Sequence, residues 1–152
     1  MPDQTVETQP RRKATIIFWA GLAVRLALAA AFLSAVADRF GLWGPPGSAG
    51  VAWGSIEKYE SYVGVLSWFA PASFVPVLGW IATIAEITIA IGLLIGWQLR
   101  WFALAASLLL LSFAGAMFGA LGPKPPLDYS VLSAATAAFL LFAVDTTKYG
   151  NH

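Results

Sequence analysis

The feature that most constrains this chain is an apolar stretch over residues 75–96 that holds one ionisable side chain, Glu86. A helix of about 20 such residues crosses the roughly 30 Å hydrocarbon core of a bilayer. A carboxylate near its middle costs about 2.5–3.5 kcal/mol on insertion scales, so Glu86 is predicted to face protein rather than lipid. Its helical neighbours Gly79, Ala82, Thr83 and Ala90 are small, which lets another helix approach closely.

Arg25 is the predicted partner of Glu86. It lies near the middle of an earlier apolar stretch, residues 14–37, between the small residues Gly21 and Ala29. Counting about 1.5 Å per residue from the ends of the two stretches puts Arg25 and Glu86 at similar depth. Two interpretations of the pair are open. It is either a proton-coupled or ligand-orienting pair in a membrane pocket, or a buried ion pair that only fixes helix packing.

The composition indicates an integral membrane protein. Of the 152 residues, 59% are hydrophobic and only 11% are charged, whereas soluble domains carry about 25% charged residues. The chain has no cysteine, and its one histidine is His152, which excludes disulfides, iron–sulfur ligation by cysteine and bis-histidine haem. No metal site and no intrinsic cofactor are therefore predicted. No basic stripe exists beyond residues 11–13, which argues against nucleic-acid binding.

The predicted fold is an all-α, four-helix transmembrane bundle. Its spans cover about residues 14–37, 75–96, 101–120 and 128–144, within a domain of residues 14–146 that is flanked by polar tails at 1–13 and 147–152. Glycine and proline interrupt residues 38–71, which are predicted to form an outer segment with a short interfacial helix at 56–69. The connection at 96–100 is short enough to require a tight helical hairpin.

The basic residues predict the orientation in the membrane. One side holds Arg11, Arg12, Lys13, Arg100 and Lys148, and the other holds Arg39, Lys58 and Lys124. Both termini are therefore expected in the cytoplasm of a bacterium, with the chain in the inner membrane and residues 38–71 facing the periplasm. An alternative makes the first span a signal peptide cleaved after Ala35-Val36-Ala37. The retained helix is favoured because cleavage would remove the predicted partner of Glu86.

A second candidate site lies at the predicted outer face. Its members are charged or aromatic: Asp38, Arg39, Trp43, Trp53, Lys124, Asp128 and Tyr129. Charged groups beside aromatic walls suit the polar head of a lipophilic ligand such as a quinone. The alternative is an interfacial belt of aromatic side chains with snorkelling charges. No catalytic residue is identified by either interpretation.

The chain resembles the DoxX family of small four-helix bacterial membrane proteins, from about Ile17 to Val144. The stretches that carry the resemblance are residues 25–33, 38–44, 53–54 and 86–92, then Gly96 and Arg100, and finally Lys124-x-Pro126-Leu127-Asp128-Tyr129-Ser130-Val131. Two positions depart from the family pattern: Ala29 stands where many members have glycine, and Arg39 where many have lysine.

The resemblance implies a small membrane subunit of a quinone-linked oxidoreductase complex that contributes a quinone, lipophile or partner site. The bilayer and a protein partner in a redox complex are the expected partners. A non-catalytic subunit is expected rather than a self-sufficient enzyme. The alternative is a structural or assembly subunit that anchors a partner complex without a cofactor. A transporter is disfavoured, because one charged pair is a sparse pathway and no inverted repeat of broken spans is visible.

Overall fold

The computed structural model describes the backbone of residues 8–149 and the side chains of residues 12–144. Within this part the chain is helical and contains no strand. In chain order, the elements are α1 (Thr8–Arg39), α2 (Ile56–Leu66), a short 3-10 turn (Ala72–Phe74), α3 (Val75–Ile95), α4 (Leu99–Leu121), α5 (Lys124–Asp128) and α6 (Val131–Tyr149). Residues 1–7 and 150–152 of the predicted tails lie outside the described residues.

Three segments of the described chain are long and apolar enough to cross a membrane: Arg12–Arg39, Ala72–Ile95 and Leu99–Leu121. A shorter apolar segment, Val131–Val144, lies in α6. Their outward surfaces carry large apolar side chains, as a lipid-facing surface does. The prediction of an all-helical membrane protein is confirmed at this level.

Small residues at the interhelical contacts bring the long helices together. α1 packs on α3, α3 on α4, and α4 most extensively on α6, which also contacts α1. The alanines in this core have no exposed surface: Ala29, Ala90, Ala103, Ala106 and Ala138. In lipid, where the hydrophobic effect does not drive helices together, such small contacts permit the close packing that holds them.

The turns between the helices depend on left-handed backbone conformations. Gly96, with φ 77°, ends α3, and Gln98, with φ 52°, precedes α4, which produces the predicted tight hairpin. The predicted fourth span began at 128, but Asp128 ends the separate helix α5 and α6 begins at Val131. Ser130 between them has φ 56°, and this positive value prevents one continuous helix.

The outer segment places α2 against the first turns of α3. Ser55 is the N-cap of α2, because its hydroxyl accepts from the backbone N–H of Lys58 at 3.3 Å. The buried side of α2 consists of Tyr59 and Val63, which lie against Gly79 of α3. The helix ends at Leu66 rather than at the predicted 69. α2 therefore covers the part of α3 that extends beyond the end of α1.

Candidate functional site

The last turn of α1 brings Asp38 and Arg39 to the candidate site. The helix ends in a Schellman motif: the N–H of Gly41 donates to Asp38 O at 3.0 Å, and the N–H of Leu42 donates to Ala37 O at 3.0 Å. Gly41 has φ 72°, which this ending requires. A cation in such a last turn is favourably placed in the field of the helix dipole.

Arg39 forms a buried ion pair with Glu86. Its Nη2 donates to Glu86 Oε1 at 2.7 Å, and its Nη1 donates to Thr83 Oγ1 at 2.8 Å. The Thr83 hydroxyl in turn donates to Gly79 O at 2.8 Å. Arg39 is only 3% exposed and Glu86 only 1%. The prediction that Glu86 faces protein is confirmed, and its partner is the cation at the end of α1.

Two aromatic rings of the outer segment cover the guanidinium. The Arg39 Cζ atom lies 3.9 Å from the centre of the Tyr59 ring and 5.4 Å from that of Trp53. The two rings meet edge to face, with their centres 5.3 Å apart. Such cation–π contacts strengthen when they are desolvated. Burial raises the pKa of the Tyr59 phenol, Arg39 partly offsets this effect, and Glu86 adds to it.

Asp38 holds the loop that carries one of these rings. Its Oδ2 accepts from the backbone N–H of Ala52 at 2.8 Å and of Trp53 at 3.2 Å. These bonds tie the loop to the end of α1 and position Trp53 over the neighbouring Arg39. Asp38 is therefore a positioning residue for the site rather than a partner of its cation.

Three buried polar atoms at the site have no hydrogen-bond partner among the described residues. They are Arg39 Nε, Glu86 Oε2 and Asp38 Oδ1. A buried polar group without a partner costs about 1–3 kcal/mol, and more when it is charged. The site thus offers one free N–H donor and free carboxylate acceptors, the combination that a water, a hydroxyl or a carbonyl compound can satisfy.

Arg25 does not pair with Glu86, so that prediction is wrong. Its Nε donates to Leu93 O at 3.0 Å and its Nη2 to Leu94 O at 3.3 Å, where it caps the C-terminal end of α3. The prediction placed the midpoints of the first two spans side by side. In the structure Arg25 lies level with Leu93 and Leu94, about two helical turns after Glu86 in α3. The loop and α2 occupy the space beside the first turns of α3.

The remaining predicted residues spread over the end of the bundle that carries Arg39. Trp43 is exposed, and its indole N–H donates to Ser34 O at 3.1 Å. Lys124 and Asp128 form an exposed ion pair one helical turn apart on α5. Tyr129 is 72% exposed and lies near enough to Tyr62 to raise the pKa of that phenol, after the larger effect of burial. None of these four contacts the Arg39 guanidinium.

Sequence reasoning missed two ligands of the guanidinium. Thr83 was identified only as a small neighbour of Glu86, although its position three residues earlier puts its hydroxyl on the same helical face. Tyr59 lies within the predicted interfacial helix, but its contact with Arg39 is not predicted. Both contacts with Arg39 depend on the register of α3 against α1 and α2. This register cannot be predicted from a local sequence pattern.

Comparison with known proteins adds nothing to this geometry, because no family model, no curated protein and no solved structure matches the chain. Among the described residues, no three His, Cys, Asp or Glu side chains gather as a metal site would require.

Proposed function

We propose that this chain is a DoxX-like subunit with four membrane spans and both termini in the cytoplasm of a bacterium. In this proposal it belongs to a quinone-linked oxidoreductase complex of the inner membrane and contributes a site for a quinone or for the partner. The three long apolar segments and the apolar part of α6 support the four spans. The sequence resemblance and the chemistry of the buried site support the link to a quinone.

The observation that carries the proposal is the unpartnered donor beside the unpartnered acceptor at Arg39 and Glu86. A quinone carbonyl accepts from an N–H such as that of Arg39 Nε, whereas a quinol hydroxyl donates to an oxygen such as Glu86 Oε2. Trp53 and Tyr59 are aromatic surfaces of the kind that line sites for flat rings. When bound, a quinone supplies two-electron, two-proton chemistry, and the electrons are assigned to a partner chain.

Access to this donor and acceptor requires movement of the outer segment. Arg39 and Glu86 are almost fully buried, and the rings of Trp53 and Tyr59 lie over the guanidinium. The proposal therefore has the loop and α2 move away from the end of α1 when a ring enters. The hydrogen bonds from the loop to Asp38 hold the closed form.

A second candidate function is a structural or assembly subunit that needs no quinone. The near-complete burial of the pair favours it, because Arg39 and its contacts join α1, α2 and α3. In that role the ion pair specifies how the helices pack. A buried pair of this kind can often be replaced by well-packed apolar residues without loss of stability.

One purification experiment separates the two functions. The wild-type chain and the double variant Arg39→Met/Glu86→Leu are purified from the native membrane in mild detergent, and bound quinone and accompanying proteins are quantified. A matched control changes the exposed pair, Lys124→Gln/Asp128→Asn. Folding of each variant is checked by circular dichroism and gel filtration.

The quinone proposal expects the wild type and the control to carry quinone and a redox enzyme, and the folded double variant to lose the quinone. The assembly function is supported if the wild type carries no quinone and the double variant still keeps its protein partner. A wild type recovered without quinone and without a redox partner, under conditions that preserve other membrane complexes, overturns the quinone proposal.

A further inference from the structure

A small recess lies at the other end of the bundle from the Arg39–Glu86 pair. It has a volume of about 60 Å³ and lies between α1, the start of α4 and α6. Its lining includes Ile17, Gly21, Arg25, Leu99, Leu141 and Val144. Arg25 is the single charged residue of this lining. The volume admits a few waters or a small polar group, but it is well below the several hundred Å³ of a pocket for a ring-sized ligand.

Arg25 binds backbone carbonyls rather than a carboxylate of the described side chains. Its Nε and Nη2 donate to the carbonyls of Leu93 and Leu94, and these two bonds do not use Nη1. Among the side chains of residues 12–144, no Asp or Glu lies within ion-pairing distance of Arg25. A cation held in an apolar recess without a counter-charge favours an anion.

The start of α4 adds a second source of positive potential to the same recess. Leu99 is the first residue of this 23-residue helix, and it lines the recess. Gln98 is its N-cap residue, but no side chain caps the first turn. The free N–H groups and the dipole of a helix N-terminus attract anions.

The depth of the recess indicates which anion would reach it. Arg25 lies level with the end of α3, beside the turn that carries Trp97, and tryptophan is typical of the membrane interface. From Arg25 towards the middle of α1, Leu26 and Leu33 are apolar and exposed. A molecule with an anionic head and apolar chains matches both features, and basic recesses between helices commonly bind such headgroups.

We propose that this recess binds the phosphate of an anionic phospholipid, with Arg25 and the N-terminal turn of α4 as its ligands. The acyl chains then lie along the exposed apolar face of α1 near Leu26 and Leu33, towards the middle of the bilayer. The site is separate from the proposed quinone site, since it lies at the opposite end of α1. A test of the quinone site therefore does not decide whether this recess binds lipid.

The test is native mass spectrometry of the full chain in detergent, titrated with phosphatidylglycerol and, separately, with phosphatidylcholine. The wild type is expected to prefer phosphatidylglycerol by at least about fivefold, the effect of one well-placed cation worth about 1 kcal/mol. Arg25→Gln keeps a hydrogen-bond donor for the α3 carbonyls but removes the charge, so the preference should fall to about one. Inorganic phosphate is added in a parallel titration, and it should not displace the lipid.

Two further variants distinguish a built site from general attraction. Arg12→Gln removes an exposed cation from the same helix outside the recess, and it should leave the preference within about twofold of wild type. Gly21→Val keeps every charge but fills the recess. A Cβ at Gly21 lies 3.7 Å from Leu141, an ordinary contact, so the β-carbon is accommodated. Once circular dichroism shows that the variant is folded, it should have lost the preference.

Equal losses in Arg25→Gln and Arg12→Gln, or full preference in Gly21→Val, would show attraction to surface charge and overturn the proposal. Absence of any preference in the wild type, or displacement of the lipid by inorganic phosphate, would overturn it as well. If Arg25→Gln fails to fold, the comparison of Gly21→Val with Arg12→Gln decides the result alone.

Discussion

The buried Arg39–Glu86 pair should show strong energetic coupling, measurable in a double-mutant cycle. The cycle compares Arg39→Met, Glu86→Leu and the double variant with the wild type. Each single change leaves one charged group buried without its partner: Glu86→Leu leaves the guanidinium with only Thr83 and the two aromatic rings. The double variant replaces both charges with apolar side chains of similar size.

The geometry sets the size of the expected effect. At the observed N–O separation of 2.7 Å, the gross attraction is about 4–6 kcal/mol at an effective dielectric constant near 20, depending on where the charges are centred. Removing one partner of a buried pair costs about 3–5 kcal/mol, whereas replacing both is often nearly neutral. The coupling free energy should therefore be about 3 kcal/mol or more.

The assay is unfolding by increasing mole fraction of sodium dodecyl sulfate in mixed micelles, followed by far-ultraviolet circular dichroism. The exposed Lys124–Asp128 pair is the matched control, since the Lys124 side chain is 81% exposed and the Asp128 side chain 55%. Its coupling free energy should be less than about 1 kcal/mol. A second cycle, Arg25→Met with Glu86→Leu, should be additive because these residues do not touch. If the stability losses of the single changes at Arg39 and Glu86 add up to that of the double variant within about 0.5 kcal/mol, the observed register of α1 against α3 is refuted.

Two further predictions use the same purified protein. Gly96→Ala should destabilise it by about 1–3 kcal/mol, because its Cβ would lie 2.3 Å from Arg25 Nη2 at a backbone φ of 77°. The matched change Gly122→Ala has a similar φ of 83° but meets no atom within 4 Å, so it should lose less stability than Gly96→Ala in the same unfolding assay; equal losses in the two variants would contradict the Arg25 contact. Tyr129→Phe should lower the pKa of Tyr62, which burial first and Tyr129 second hold above 10, in a titration of ¹³Cζ-labelled tyrosine. Because that folded-state pKa is raised, the contribution of Tyr62 to stability should be complete below pH 10 and lost as the pH rises through the folded-state pKa.

Local patterns were sufficient to predict the helices and the burial of Glu86. A long apolar stretch admits few alternatives to a helix in a membrane, and the short connection at 96–100 admits little besides a hairpin. The small residues Gly79, Thr83 and Ala90 share a face with Glu86 in the structure, and all are buried. These features depend on residues close together in sequence.

The identity of the partner of Glu86 could not be obtained in the same way. Two antiparallel apolar helices can slide past each other by a turn or two with little change in their hydrophobic pattern. The register here is fixed by contacts distant in sequence, including those of α2 with Gly79. The loop depends on equally specific packing: a Cβ on Gly54 would lie 2.5 Å from the backbone nitrogen of Pro46. Hydropathy carries no information about either contact.

Asp38 and Arg39 are neighbours in sequence but have different roles at the site. Asp38 holds the backbone of residues 52 and 53, and Arg39 pairs with Glu86 beneath the ring of Trp53. Any ligand that reaches the unpartnered Arg39 Nε must therefore displace the loop that Asp38 holds. Under the quinone proposal this loop is the entrance to the site, and under the assembly proposal it is a fixed cover. Loosening the loop with Asp38→Ala should accordingly change quinone exchange in the first case and only stability in the second.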